Sequence, residues 1–132
     1  MIFLDTSAIY AMADQADPRH ERAKEKFRAL LDLGEGILTH NYVLVEAMAL
    51  IQSRLGLGAA GKFAHDCRAF DIEWVDEATH EAAIRRLARV AKRQVSFVDQ
   101  VSFLVMRRRA VRTALAFDPD FEAEGFQLFR GA

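Results

Sequence analysis

Residues 1–12 read Met1-Ile2-Phe3-Leu4-Asp5-Thr6-Ser7-Ala8-Ile9-Tyr10-Ala11-Met12. A short apolar run ends on an aspartate, and a stretch of helical composition follows at once. The same unit recurs along the chain. Strands are predicted at 2–4, 37–39, 72–75, 113–117 and 126–129. Helices are predicted at 7–12, 19–33, 41–55, 58–69, 77–92 and 98–109. In the fifth of these, Ala83, Leu87, Val90 and Ala91 recur at helical spacing with arginines between them. Strands separated by whole helices cannot pair as hairpins. They predict an α/β fold: a three-layer α/β/α sandwich around a five-stranded parallel sheet. Gly34 and Gly36 punctuate one helix end, and Gly56 and Gly58 another.

The 132 residues fit a single domain spanning 1–132, with no repeat, low-complexity segment or linker. A hydrophobic share of 52% and a charged share of 28% are those of a soluble globular chain. One cysteine, Cys67, allows no internal disulfide and no zinc cage, which suits a reducing cytoplasm. The opening residues lack the basic and long apolar regions of a secretory signal. The longest nearly apolar run, 42–51, is interrupted by Glu46 and too short to span a bilayer. A cytoplasmic protein without membrane attachment is expected.

The net charge of −1 does not mark a nucleic-acid binder. The distribution is more informative. Basic residues gather at Arg85, Arg86, Arg89, Lys92 and Arg93, and again at Arg107, Arg108, Arg109 and Arg112. Each run reads as a solvated helix face or as a local phosphate-binding patch, and a patch needs no excess of charge overall.

In an open parallel sheet, ligands collect at the carboxyl ends of the strands. Asp5 follows the first strand, and Asp118 follows the fourth immediately in the predicted boundaries. Asp99 lies in the first turn of a helix leading to the fourth strand. Glu46 lies in the helix after the second. With right-handed connections, the first and fourth strands end on the same edge. Each aspartate also has a structural reading. Asp5 caps the helix starting near Thr6, Ser96 and Asp99 have capping-box spacing, and Asp118 precedes Pro119 as an N-cap would. Glu46 has no such role. Its helix is apolar on nearly every side, and no lysine or arginine lies within a turn. A carboxylate there is costly unless protonated, paired or bound to a cation, and a distant arginine is the bland alternative. Four converging acids suit a hard cation, Mg²⁺ or Mn²⁺, and such ions suit phosphoryl chemistry. Thr6, Ser7 and Ser96 offer hydroxyls to the same pocket, or serve as caps and turn residues.

These residues together resemble the PIN domain, especially its small stand-alone toxins of the VapC type. The resemblance runs over the whole chain. It is carried by Phe3-Leu4-Asp5-Thr6-Ser7, Glu46 in its apolar helix, Ser96-Phe97-Val98-Asp99-Gln100-Val101-Ser102 and Ala116-Phe117-Asp118-Pro119-Asp120-Phe121. It implies a Mg²⁺- or Mn²⁺-dependent endoribonuclease with Asp5 and Asp99 as principal metal ligands. Glu46 and Asp118 complete the quartet. Asp120 is an additional acid or an exposed helix-start residue, and Phe121 a packing aromatic. A metal-activated water attacking in line predicts a 5′-phosphate and a 3′-hydroxyl. His20, His40, His65 and His80 fall outside the motifs, and only His40 is expected beside the pocket. The resemblance further implies an RNA substrate, a cognate antitoxin protein and a homodimer.

Other readings remain at this level. A phosphoacceptor receiver shares the length and the acidic pocket, but lacks its paired acids at the first strand end and its lysine after the last strand. A haloacid-dehalogenase-type phosphatase needs an aspartate where Ser7 stands. A non-catalytic binding module would be favoured by a degenerate quartet, and this quartet is intact. A stand-alone RNA-processing nuclease stays open beside the toxin.

Overall fold

The computed structural model describes residues 1–90 and 95–131. In chain order the elements are β1 (Ile2–Leu4), α1 (Thr6–Ala13), α2 (His20–Asp32), β2 (Ile37–His40), α3 (Asn41–Leu55) and α4 (Leu57–Asp66). A 3₁₀ turn (Cys67–Ala69), β3 (Asp71–Glu73), α5 (Glu77–Leu87) and α6 (Phe97–Arg108) follow, then β4 (Thr113–Leu115), α7 (Asp120–Ala123) and β5 (Gln127–Leu128). The strands form one five-stranded sheet in the order β3-β2-β1-β4-β5, and every pairing is parallel. The sequence-predicted α/β class therefore holds. Right-handed connections moving outward from β1 to β3 put α1–α4 on one face. The reversal toward β4 and β5 puts α5–α7 on the other.

The central strands of the sheet are buried on both sides. Phe3, Leu4, Leu38, Ala114 and Leu115 are fully withdrawn from water. Phe3 packs against Phe121, with ring centroids 6.1 Å apart, and Phe121 meets Phe103 edge-on at 5.2 Å. Each such ring contributes about 2–3 kcal/mol by leaving water, so the short α7 that carries Phe121 is anchored by packing more than by its own length.

Several boundaries differ from the sequence expectation, each for a physical reason. β4 stops at Leu115 because its partner β1 stops at Leu4, and Asp5 N donating to Leu115 O at 3.1 Å is the last rung. Ala116 and Phe117 therefore separate the strand from Asp118. The helix expected over 77–92 ends at Leu87: Ile84 and Leu87 are already 43% and 39% exposed, so further turns would have little core to cover. Ala88 is the C-cap and residues 88–90 are not helical, while 91 and 92, and Arg93 of the basic run, lie outside the described residues. The stretch 58–69 divides into α4 and the 3₁₀ turn. Gly56, with φ +96°, separates α3 from α4 in a conformation that L side chains rarely adopt. Among the described residues no helix is long and apolar enough to cross a membrane.

Candidate active site

The carboxyl edge of the sheet is built from caps. Asp5 leaves β1 and becomes the N-cap of α1. Its Oδ2 accepts from the Ser7 amide at 3.1 Å and from the Ser7 hydroxyl at 2.7 Å. The same Ser7 Oγ accepts from Phe117 N at 3.1 Å, so one hydroxyl ties the end of β1 to the chain leaving β4. At the start of α6, Ser96 Oγ accepts from Asp99 N at 3.1 Å and Asp99 Oδ2 accepts from Ser96 N at 3.0 Å. This is a complete capping box with aspartate in the acidic position. Asp118 Oδ1 accepts from Asp120 N at 2.9 Å, one turn before the buried Phe121. The capping readings hold for Asp5 and for Ser96 with Asp99, where the hydrogen bonds that cap also aim the carboxylates. Asp118 is not the N-cap, because α7 starts one residue later than expected, with Pro119 at the cap position and no side-chain cap bond.

The carboxylates crowd one another. Oxygens of Asp99, Asp118 and Asp120 all lie within 4.8 Å of each other. Burial pushes the Asp99 carboxyl up to about 7, and the charges of Asp5 and Asp118 push the same way against the Ser96 amide and hydroxyl. Asp5 is also raised, first by burial, with Glu46 and Asp118 adding repulsion and Ser7 opposing it. Among the described residues, none of Asp5, Glu46, Asp99 and Asp118 forms an ion pair with a lysine, arginine or histidine. Thr6, next to Asp5, is buried with its Oγ1 unpartnered among the described residues. Buried hard oxygens and mutual repulsion fit a divalent cation.

Glu46 departs from expectation in one respect. It is half-buried rather than enclosed, because α3 leaves a flank open on which Val45 is 66% exposed. The desolvation cost argued from its apolar neighbours is correspondingly smaller. His40 lies at the end of β2, fully buried. Its Nε2 bonds Ser102 Oγ at 2.8 Å and its Nδ1 accepts from Val43 N at 3.3 Å. Since Ser102 Oγ already donates to Val98 O, the imidazole carries its proton on Nε2. Burial lowers its pKa to about 3, so it is a neutral strut between β2, α3 and α6.

The arginine runs separate into spent and unspent charge. Arg86 and Arg107 both grip Glu124, at 2.8 and 2.7 Å, while Arg108 and Arg109 reach Glu73, at 3.6 and 2.9 Å. Arg109 also pairs with Asp71, and Arg108 lies 3.8 Å from Asp76. These four are internal braces. The sequence reading passed over a different set, Arg19 at the N-cap of α2 with Arg22 and Lys26 on the helix, which gathers around Phe117. Their helical spacing was visible in the sequence. Their target, at the far end of the chain, was not.

Residues 2–126 match the model of the PIN domain. The chain belongs to the PIN domain family. It is 38% identical over 128 residues to the 23S rRNA-specific endonuclease VapC20 of Mycobacterium tuberculosis, in both strain CDC 1551 / Oshkosh and strain H37Rv. The match covers 96% of this chain and 95% of that protein. It also superposes on the crystal structure of Mycobacterium tuberculosis VapC20, described as a sarcin–ricin loop cleaving toxin. That match has a TM-score of 0.85 and 37% identity, with 96% of each chain covered. In this PIN domain the acidic group lies at the carboxyl edge, where open parallel sheets place their sites.

Proposed function

We propose that this protein is a divalent-metal-dependent endoribonuclease, the toxin of a toxin–antitoxin pair, and that residues 1–132 make one nuclease unit. The observation that carries the reading is the crowding of buried carboxylates at one sheet edge, with Asp99 holding its proton up to about pH 7. The likeness to VapC20 over nearly the full length of both chains supports RNA as the substrate. It makes a ribosomal stem–loop the first candidate.

Asp5 and Asp99 are the principal ligands of Mg²⁺ or Mn²⁺, with Glu46 and Asp118 completing the quartet and Asp120 adding an oxygen beside them. A bound divalent cation supplies Lewis acidity toward a phosphate oxygen and the attacking water. The chain's own residues do the positioning. Ser7 holds Asp5 through amide and hydroxyl, and the Ser96 cap holds Asp99 at the start of α6. Thr6 offers a buried hydroxyl that no other described residue engages. Asp99 must give up its proton to act as a ligand, so loading is favoured as pH rises. Attack by water leaves a 5′-phosphate and a 3′-hydroxyl.

Exposed Val45, Leu57 and Trp74, at 66%, 75% and 71%, supply apolar surface for a protein partner. An inhibitory antitoxin and a second copy are proposed there, in a cytoplasmic setting. The test is cleavage of end-labelled structured RNA with Mn²⁺ or Mg²⁺, with EDTA, and by Asp99→Asn. The parent should cut only with metal, and the variant should lose at least about a thousandfold, equivalent to about 4 kcal/mol of barrier. Equal cutting by parent and variant would remove this pocket from the reaction.

A further inference from the structure

Phe117 is half-buried just after β4, and three cations surround its ring. The Arg19 and Arg22 guanidinium carbons lie 5.3 and 5.5 Å from the ring centroid, and Lys26 Nζ lies 5.1 Å from it. Arg19 is the N-cap of α2, and the spacings of three and four residues put the three on one helix face. Among the described residues none of them forms an ion pair with a carboxylate. They repel instead: partial burial lowers the Lys26 pKa, and the charges of Arg22 and Arg130 lower it further.

Three like charges collected on one ring are unfavourable unless an anion answers them, and no carboxylate among the described residues does. A ring beneath gives each a modest attraction, about 0.5–1 kcal/mol at an exposed site, and leaves the charged heads free to bond outward. The platform is also indexed to the acidic edge. Phe117 precedes Asp118 in the chain, and its amide is held by the Ser7 hydroxyl that also grips Asp5. The ring that carries the three cations is thus held beside the chain segment that bears Asp118 and is tied through Ser7 to Asp5.

We propose that Arg19, Arg22 and Lys26, stacked on Phe117, form the phosphate track that holds the RNA backbone flanking the scissile bond. This rests on the ribonuclease reading and deepens it. The contacts go to phosphates, so the track sets affinity and register, while base choice lies elsewhere.

The test measures RNA binding as well as cleavage. A fluorescent sarcin–ricin stem–loop RNA is titrated with Asp99→Asn protein at salt concentrations between about 50 and 200 mM. The titration is repeated after adding Arg19→Gln, Arg22→Gln and Lys26→Gln together. The control adds Lys24→Gln and Arg28→Gln, which remove charge from the opposite face of α2. The track variant should bind about tenfold or more weakly at the lowest salt. Its log–log salt slope should be flatter by about 2, three contacts at about 0.7 each for single strands. The control should change both by less than half as much. With Asp99 intact, the track substitutions should raise KM and leave kcat within about threefold. Arg19→Lys with Arg22→Lys should keep the slope, which also shows that the face tolerates substitution.

An unchanged slope and affinity in the track variant would overturn the proposal, even if the parent cleaves RNA well. A parent that binds RNA through the track but cuts none would sink the ribonuclease reading alone. Loss of binding to a poly-glutamate peptide with RNA binding intact would overturn the track in favour of an acidic protein partner.

Discussion

Helix α6 is capped by Ser96 with Asp99 in its first turn, and at its other end Arg107 and Arg108 lead into the C-cap Arg109; the two ends treat charge differently. Both placements suit the helix dipole, which favours anions at the start and cations at the end. At the end, each arginine meets a carboxylate of this chain, on Glu124, Glu73 or Asp71. At the start, Asp99 meets more carboxylates, and its proton is held to about pH 7. One end is electrostatically closed and contributes to folding. At the other, no lysine, arginine or histidine among the described residues pairs with Asp99, and the crowding of carboxylates there lowers stability.

The largest expected effect is on the open end. Folded Asp99 keeps its proton up to about pH 7, whereas the unfolded chain loses it near 3.8. The folded state therefore holds an extra proton between these values, and metal-free stability falls as pH rises through that window. Asp5 is shifted the same way and steepens the fall. At pH 8 without metal, Asp99→Asn should be more stable than the parent by about 2–4 kcal/mol, at about 1.36 kcal/mol per pH unit. Mn²⁺ should raise the parent's Tm at pH 8 and the variant's far less. Melting curves with and without EDTA check this, and a parent Tm insensitive to both pH and Mn²⁺ would erase the contrast between the two ends.

A smaller effect sharpens it. Ser96→Ala removes the cap that aims Asp99, costing about 1 kcal/mol of stability. It should weaken Mn²⁺ binding about tenfold, as loss of an outer hydrogen bond does, with cleavage recovering at saturating metal. Isothermal titration beside chemical denaturation separates the two consequences. The smallest effect belongs to the closed end. Arg109→Ala removes the pairs with Asp71 and Glu73, but its side chain is 30% exposed, so the loss should be about 1 kcal/mol or less. RNA cleavage should stay at the parental rate. A cleavage defect in Arg109→Ala would mean that the braces also serve the reaction.

Much of the edge was legible because its devices are local. Asp5 with Ser7, Ser96 with Asp99, and Asp118 with Asp120 each bond across two or three residues. Where burial decides, local pattern fell short. Glu46 read as enclosed from its neighbours in sequence, but the open flank of α3 leaves it half-buried. The length of β4 was overestimated because Ala116 and Phe117 are apolar enough for a strand, but β1 offers no partner beyond Leu4. The arginine runs looked alike as letters, and only their distant acids separate the braces from the rest.

Sequence alone settles the alternation of strand and helix, the class of fold and the caps formed by Asp5 and by Ser96 with Asp99. Those depend on periodicity and on hydrogen bonds a few residues long. The tertiary structure alone decided that β1 and β4 lie side by side, which brings Asp5 to the chain carrying Asp118 through one serine hydroxyl. It also decided which arginines are answered by Glu124 and Glu73 and which cations gather on Phe117. These are meetings of residues far apart in the chain, fixed by how the sheet and helices pack.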